Sequence, residues 1–169
     1  MGPPRSATES LQQGLIALGY DHTYHGWDIV FDQPTYSQGW VRLARKKWYG
    51  SDDGDVTITA AEFDEMIGHS TAVTDAAASV FAAEMIAAYP EAKVILNLRR
   101  DLDAWHASAI KTLVRVNENW LFYITCLFDR EAFWAWHVYE RFLWAVFFRA
   151  PDGDMASAIK RNGKWVYRG

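Results

Sequence analysis

A single cysteine, Cys126, is the whole thiol content of this 169-residue chain, which excludes an internal disulfide. Its neighbours from Leu121 to Phe128 are mostly apolar, so it reads as a reduced core residue. Positive charge is not in excess either: the formal net charge is -4, which argues against a general nucleic-acid binder, because neutralising phosphates takes a basic face. The segment Met1-Gly2-Pro3-Pro4-Arg5 carries neither the apolar stretch of a secretory signal nor the features of a transit peptide. With the reduced thiol, this points to a cytoplasmic setting. The apolar run from Trp120 to Phe148 is interrupted by Asp129, Arg130, Glu131, His137, Glu140 and Arg141. Those groups are expensive in lipid, so no stable membrane span is expected. Internal repeats and low-complexity linkers are lacking, and the carboxylates and histidines follow no recognised metal-ligand spacing.

Apolar and aromatic residues are plentiful. Half of the residues are hydrophobic, and nine Trp, nine Phe and eight Tyr concentrate between Trp105 and Phe148. The length suits one domain, residues 1–169, with a genuine core, and the aromatic density suits an apolar cavity as well as a core.

The spacing of Leu11, Leu15, Ile16 and Leu18 predicts a helix over about 7–18, stopped by Gly19. The run Asp21 to Phe31, with Tyr24, Trp27, Ile29 and Val30, reads as a short strand and loop closed by Pro34. Thr35 to Tyr49 is amphipathic and ends in Arg45-Lys46-Lys47, which suits the negative end of a helix dipole. Ser51 to Asp55 is a solvated turn, and Thr59 with Glu62 predicts a capping box opening a helix to about Ile67. Asp75 is expected to cap an Ala-rich helix to Tyr89, ended by Pro90. Lys93 to Leu98 is the clearest strand, of the buried parallel kind. A helix from Asp101 or Asp103 through Arg115 follows, then two aromatic helices, Asn119 to Phe128 and Glu131 to Phe148, broken near Asp129, and a basic helix from Met155 to about Val166.

The segment Gly2 to Ser10 gathers Gly, Pro, an Arg and hydroxyl residues just before the first helix. There, unsatisfied backbone N–H groups and the helix dipole favour an anion, and Arg5 adds a fixed charge. Taken alone, the segment is equally a Pro-rich tail ahead of a capped helix. Pro4-Arg5-Ser6-Ala7-Thr8 resembles the 5′-phosphosulfate loop of sulfotransferases, P-[KR]-[ST]-G-T. Arg100-Asp101, with Ser108 eight residues after Arg100, resembles the pair that clasps the donor's 3′-phosphate in that family. Leu18-Gly19-Tyr20, Tyr24-His25, Lys93 to Leu96 and Asp103-Ala104-Trp105 resemble further elements of the sulfotransferase-like P-loop proteins common in fungi, in the same order.

The resemblance implies an α/β fold, a P-loop three-layer arrangement with a reduced parallel sheet and a large aromatic helical portion. It implies 3′-phosphoadenosine 5′-phosphosulfate as donor and a small hydroxylated molecule as acceptor. Arg5, Ser6, Ala7, Thr8, Glu9 and Ser10 would form the loop, with Arg5 and Thr8 on the 5′-phosphosulfate and Arg5 stabilising charge in transfer. Arg100 and Ser108 would take the 3′-phosphate, the plain alternative for Arg100 being a solvated residue at a strand end. His25 is the implied base for the acceptor hydroxyl, against the plain reading of a loop or core histidine.

Three features depart from the family pattern. Nothing before Met1-Gly2 fills the place of the hydrophobic strand that precedes the loop. Ala7 replaces the usual Gly, and a Cβ tolerates positive φ poorly. The chain stops at Gly169, soon after the basic segment Ala158 to Asn162. These departures raise two alternatives: a repurposed, nucleotide-independent enzyme of natural-product metabolism using the aromatic cavity, or a non-catalytic binding protein. An incomplete sheet edge also leaves room for a homo-oligomer.

Overall fold

The structure is a computed structural model that describes residues 2–32, 36–115, 118–150 and 153–168. Contacts divide the chain into two compact units, Met1–Leu98 and Arg99–Gly169. The architecture is mostly helical α/β with a small parallel sheet.

In the first unit, α1 spans Thr8–Ala17 and leads to the short strand β1, Thr23–Tyr24. Ile29 and Val30, expected in a strand or loop, instead sit in a single helical turn, α2, Asp28–Phe31; Pro34 and Thr35 lie outside the described residues. Helices α3, Ser37–Tyr49, and α4, Ala60–Ile67, then lead to strand β2, Ala72–Val73. β2 pairs parallel to β1 with Thr23 opposite Ala72 and Tyr24 opposite Val73. Helices α5, Asp75–Val80, and α6, Ala82–Ala88, follow. Thr74, one residue earlier than expected, holds the cap position, and Asp75 is the first helical residue.

Buried aromatic rings hold this crossover together. The Trp40 indole N–H donates to the Tyr24 hydroxyl at 2.9 Å, and the Trp40 and Phe63 rings both meet Phe81. All four side chains are fully buried, and burial pushes the Tyr24 phenol well above its ordinary range. Lys47 from α3 donates to the Val80 carbonyl and to Glu84, each at 2.7 Å, which fastens the α5–α6 junction. The expected box on α4 is present: Thr59 accepts from the Glu62 N–H, while the Glu62 carboxylate accepts from the Thr59 N–H.

Residues 93–98 are not a strand. They lie outside the sheet, with Val94, Ile95, Leu96 and Leu98 between 48% and 68% exposed. An apolar run becomes a central parallel strand only where layers cover both of its faces, and these side chains are not covered.

In the second unit, Asp101 accepts from the Ala104 N–H at 2.9 Å and starts α7, Leu102–Ala109. That helix runs on as a π-helical stretch, Ile110–Val114. Asn119 and Asp129 cap the next two helices, α8, Trp120–Phe128, and α9, Arg130–His137, so the break falls at Asp129 as expected. A second π-helical stretch, Val138–Trp144, leads to the single turn α10, Ala145–Phe147. The last helix, α11, spans Met155–Arg168. It buries Ala158 and Ile159, and its Tyr167 ring lies 4.4 Å from the buried Trp105 ring of α7. Cys126 is buried and its thiol donates to the Ala132 carbonyl. Trp120, Tyr123 and Phe128 of α8 are exposed. Among the described residues no helix is long and apolar enough to cross a membrane.

Replacing a capping-box Thr by Ala removes one of two reciprocal bonds. Thr59→Ala is therefore expected to lower the stability of the fold by about 1 kcal/mol, read as a shift of the urea midpoint at unchanged slope.

Candidate functional site

The start of α1 is held from two sides. The Ser79 hydroxyl of α5 donates to the Gly2 carbonyl at 2.9 Å, and the Asn97 amide donates to the Ser6 carbonyl at 2.6 Å. A Cβ on residue 2 would lie 2.2 Å from the Asn97 carbonyl oxygen, so glycine is required for that close passage of backbone.

Past this anchor the loop alternates. Gly2 to Pro4, Ser6 and Thr8 are buried, whereas Arg5 and Ala7 are exposed. Arg5 and Ala7 both have left-handed backbone, φ 68° and 64°, with Ser6 between them on the ordinary side. Such alternation of hand turns successive N–H groups toward one side and forms a concavity for anions. Ala7 also occupies the cap position of α1, where no side chain caps the helix. The first-turn N–H groups and the positive end of the helix dipole are therefore open to an anion at the end of the loop that carries Arg5. Glu9 and Ser10 are exposed on that first turn.

The parallel pair builds the floor behind the loop. His25 follows β1 and Asp75 follows β2 by two residues. The Thr74 N–H donates to the Tyr24 carbonyl at 2.8 Å, carrying the pairing one residue further and bringing those two side chains together. The Thr8 hydroxyl donates to Asp75 Oδ1 at 3.0 Å. His25 Nε2 is 3.3 Å from Thr8 Oγ1 and 3.8 Å from Asp75 Oδ2. The Trp27 N–H donates to His25 Nδ1 at 3.3 Å. Because a backbone N–H can only donate, the neutral ring carries its hydrogen on Nε2, directed at Thr8 and Asp75. The His25 N–H in turn donates to Asp28 Oδ2 at 2.5 Å. His25 is 4% exposed.

Of the residues singled out in the sequence, Arg5, Ser6, Ala7, Thr8 and His25 thus come together. Arg100 and Ser108 belong to the second unit: Arg100 is exposed in the bend before α7, and Ser108 is half-buried near that helix's end. The sequence marks Asp75 as a helix cap alone. Its part in the site depends on a two-residue strand landing beside β1, which no local pattern announces. A second sign is visible only in three dimensions: Asp75 is itself left-handed, φ 60°.

The chain is similar to known proteins along its whole length. A family model described as "Sulfotransferase domain" matches residues 1–169. Among curated proteins, a relative from Aspergillus versicolor, "Ava biosynthesis cluster protein M", is 33% identical over 165 residues, which covers 98% of this chain and 57% of the relative. The chain therefore spans little more than half the length of that protein.

A Cβ in the left-handed region costs about 1–2 kcal/mol, and glycine returns roughly 0.4–1 kcal/mol to the unfolded chain. Ala7→Gly is thus expected to stabilise the protein by about 0.5–1 kcal/mol, measured by reversible chemical denaturation.

Proposed function

Since the chain belongs to the sulfotransferase domain family, we propose that it moves a sulfuryl group from 3′-phosphoadenosine 5′-phosphosulfate to a hydroxyl of a small molecule. The observation that carries this reading is the loop geometry: left-handed Arg5 and Ala7 open an uncapped helix N-terminus, which suits an anion with several acceptor oxygens. Ala7 keeps the backbone hand that the usual glycine of the motif serves, so the substitution leaves the cradle's shape in place. That backbone hand supports the donor as the loop's ligand. The P-loop three-layer arrangement is part of the same proposal.

When bound, the donor supplies an activated sulfuryl group whose charge spreads over its oxygens during transfer. The α1 first-turn N–H groups and Arg5 stabilise that charge, while Thr8 sets the inner wall of the loop. Arg100 and Ser108 are the proposed contacts of the 3′-phosphate. Thr8, His25 and Asp75 form the polar cluster through which the proposal has the protein manage the acceptor's proton. The relative's name refers to a biosynthesis cluster, which favours a small biosynthetic molecule as acceptor. Nucleotide-free chemistry on the aromatic residues is the second reading, motivated by their density between Trp105 and Phe148.

Titration calorimetry with adenosine 3′,5′-bisphosphate separates the two readings. Micromolar binding is expected, weakened about tenfold or more in Arg5→Ala and in Arg100→Ala through loss of charge-assisted hydrogen bonds. Absence of binding at millimolar ligand would turn the account to the nucleotide-free reading.

A further inference from the structure

We propose that Asp75 is the positioning residue of the loop: its carboxylate, carried on a left-handed backbone, orients the Thr8 hydroxyl and fixes the His25 ring. Three observations converge on it. The residue is strained, with φ 60° at the first position of α5. An acidic side chain needs no such backbone to favour a helix N-terminus, since the dipole acts equally on an ordinary first-turn Asp. Strain of this kind persists where the surroundings enforce it, and it clusters at functional sites.

The second observation is what the unusual backbone achieves. It accompanies a carboxylate seated over Gly26, so close that a Cβ there would lie 2.2 Å from Asp75 Oδ2. In that seat Oδ1 accepts from Thr8 at 3.0 Å, and Oδ2 lies 3.8 Å from His25 Nε2. The Asp75 carbonyl is also within reach of the Ser79 hydroxyl, which bonds the Gly2 carbonyl. Asp75 thus bonds one end of the loop at Thr8 and lies beside Ser79, which holds the other end at Gly2. The third is electrostatic: a carboxylate beside a cradle for anions lowers their affinity, so its place there is explained by what it orients.

The test compares two neutral replacements. Asp75→Asn and Asp75→Ala both remove the charge, but only Asn keeps an oxygen to accept from Thr8. With adenosine 3′,5′-bisphosphate as probe, a step that rests on the donor reading, Asp75→Ala is expected to bind about tenfold more weakly than Asp75→Asn. A ligand-free measurement runs beside it. Proton NMR of the His25 ring is expected to show a slowly exchanging Nε2–H in the native protein and faster exchange of that hydrogen in Asp75→Ala, the tautomer itself staying fixed by the Trp27 N–H on Nδ1. Equal affinity of the two variants, with an unchanged His25 signature, would overturn the assignment. If Asp75→Ala proves unfolded in a thermal melt, Thr8→Val against Thr8→Ser repeats the affinity comparison, with the weaker binding expected of Val and equality again overturning the role. If no protein binds the bisphosphate, the native one included, but the His25 signature changes in Asp75→Ala, the donor reading fails and the positioning role stands.

Discussion

Two residues of parallel pairing, Thr23 with Ala72 and Tyr24 with Val73, decide where the working parts of the first unit sit. A parallel pair needs a long crossover between its strands, and here α2, α3 and α4 supply it. Such a short ladder contributes little stability by itself. It holds because Tyr24 is locked to Trp40 in a fully buried aromatic cluster, and because Gln12 of α1 donates to the Thr23 carbonyl at 2.7 Å. The side chains that emerge past the strand ends, His25 and Asp75, then meet Thr8 where the first helix begins.

The same place collects conformational strain. Among the described non-glycine residues with positive φ, Arg5, Ala7 and Asp75 all belong to this loop and its floor. Each costs on the order of 1–2 kcal/mol relative to an ordinary backbone, a sizeable share of the net stability of a domain this small. The surrounding bonds enforce the arrangement: Asn97 on the Ser6 carbonyl, Ser79 on the Gly2 carbonyl, and Thr8 on Asp75. The fold gives up stability at the site and keeps a loop of fixed shape there, as expected where geometry is tied to function.

What could be read in the sequence was what depends on neighbours along the chain. The Thr59–Glu62 box, the helix break at Asp129 and the extent of α1 are local matters of capping and periodicity, and the structure has them as expected. Lys93 to Leu98 had the right composition for a buried strand, but strand formation depends on partners elsewhere, and its apolar side chains are exposed. Ile29 and Val30 went the other way, β-branched residues drawn into a helical turn beside α3. The loop was legible because its residue types stand together before a helix. Asp75 was not, because its importance comes from a pairing across about fifty residues of crossover and from a backbone hand that sequence does not display.

The central claim is that the left-handed loop opening α1 is a cradle for the donor's anionic groups, and amide NMR tests it most directly. On titration with adenosine 3′,5′-bisphosphate, the account predicts that the backbone amides of Arg5 to Ser10 show the largest shifts, and that these shifts are lost in Arg5→Ala. Saturable binding whose shifts fall elsewhere and leave those amides unmoved would contradict it.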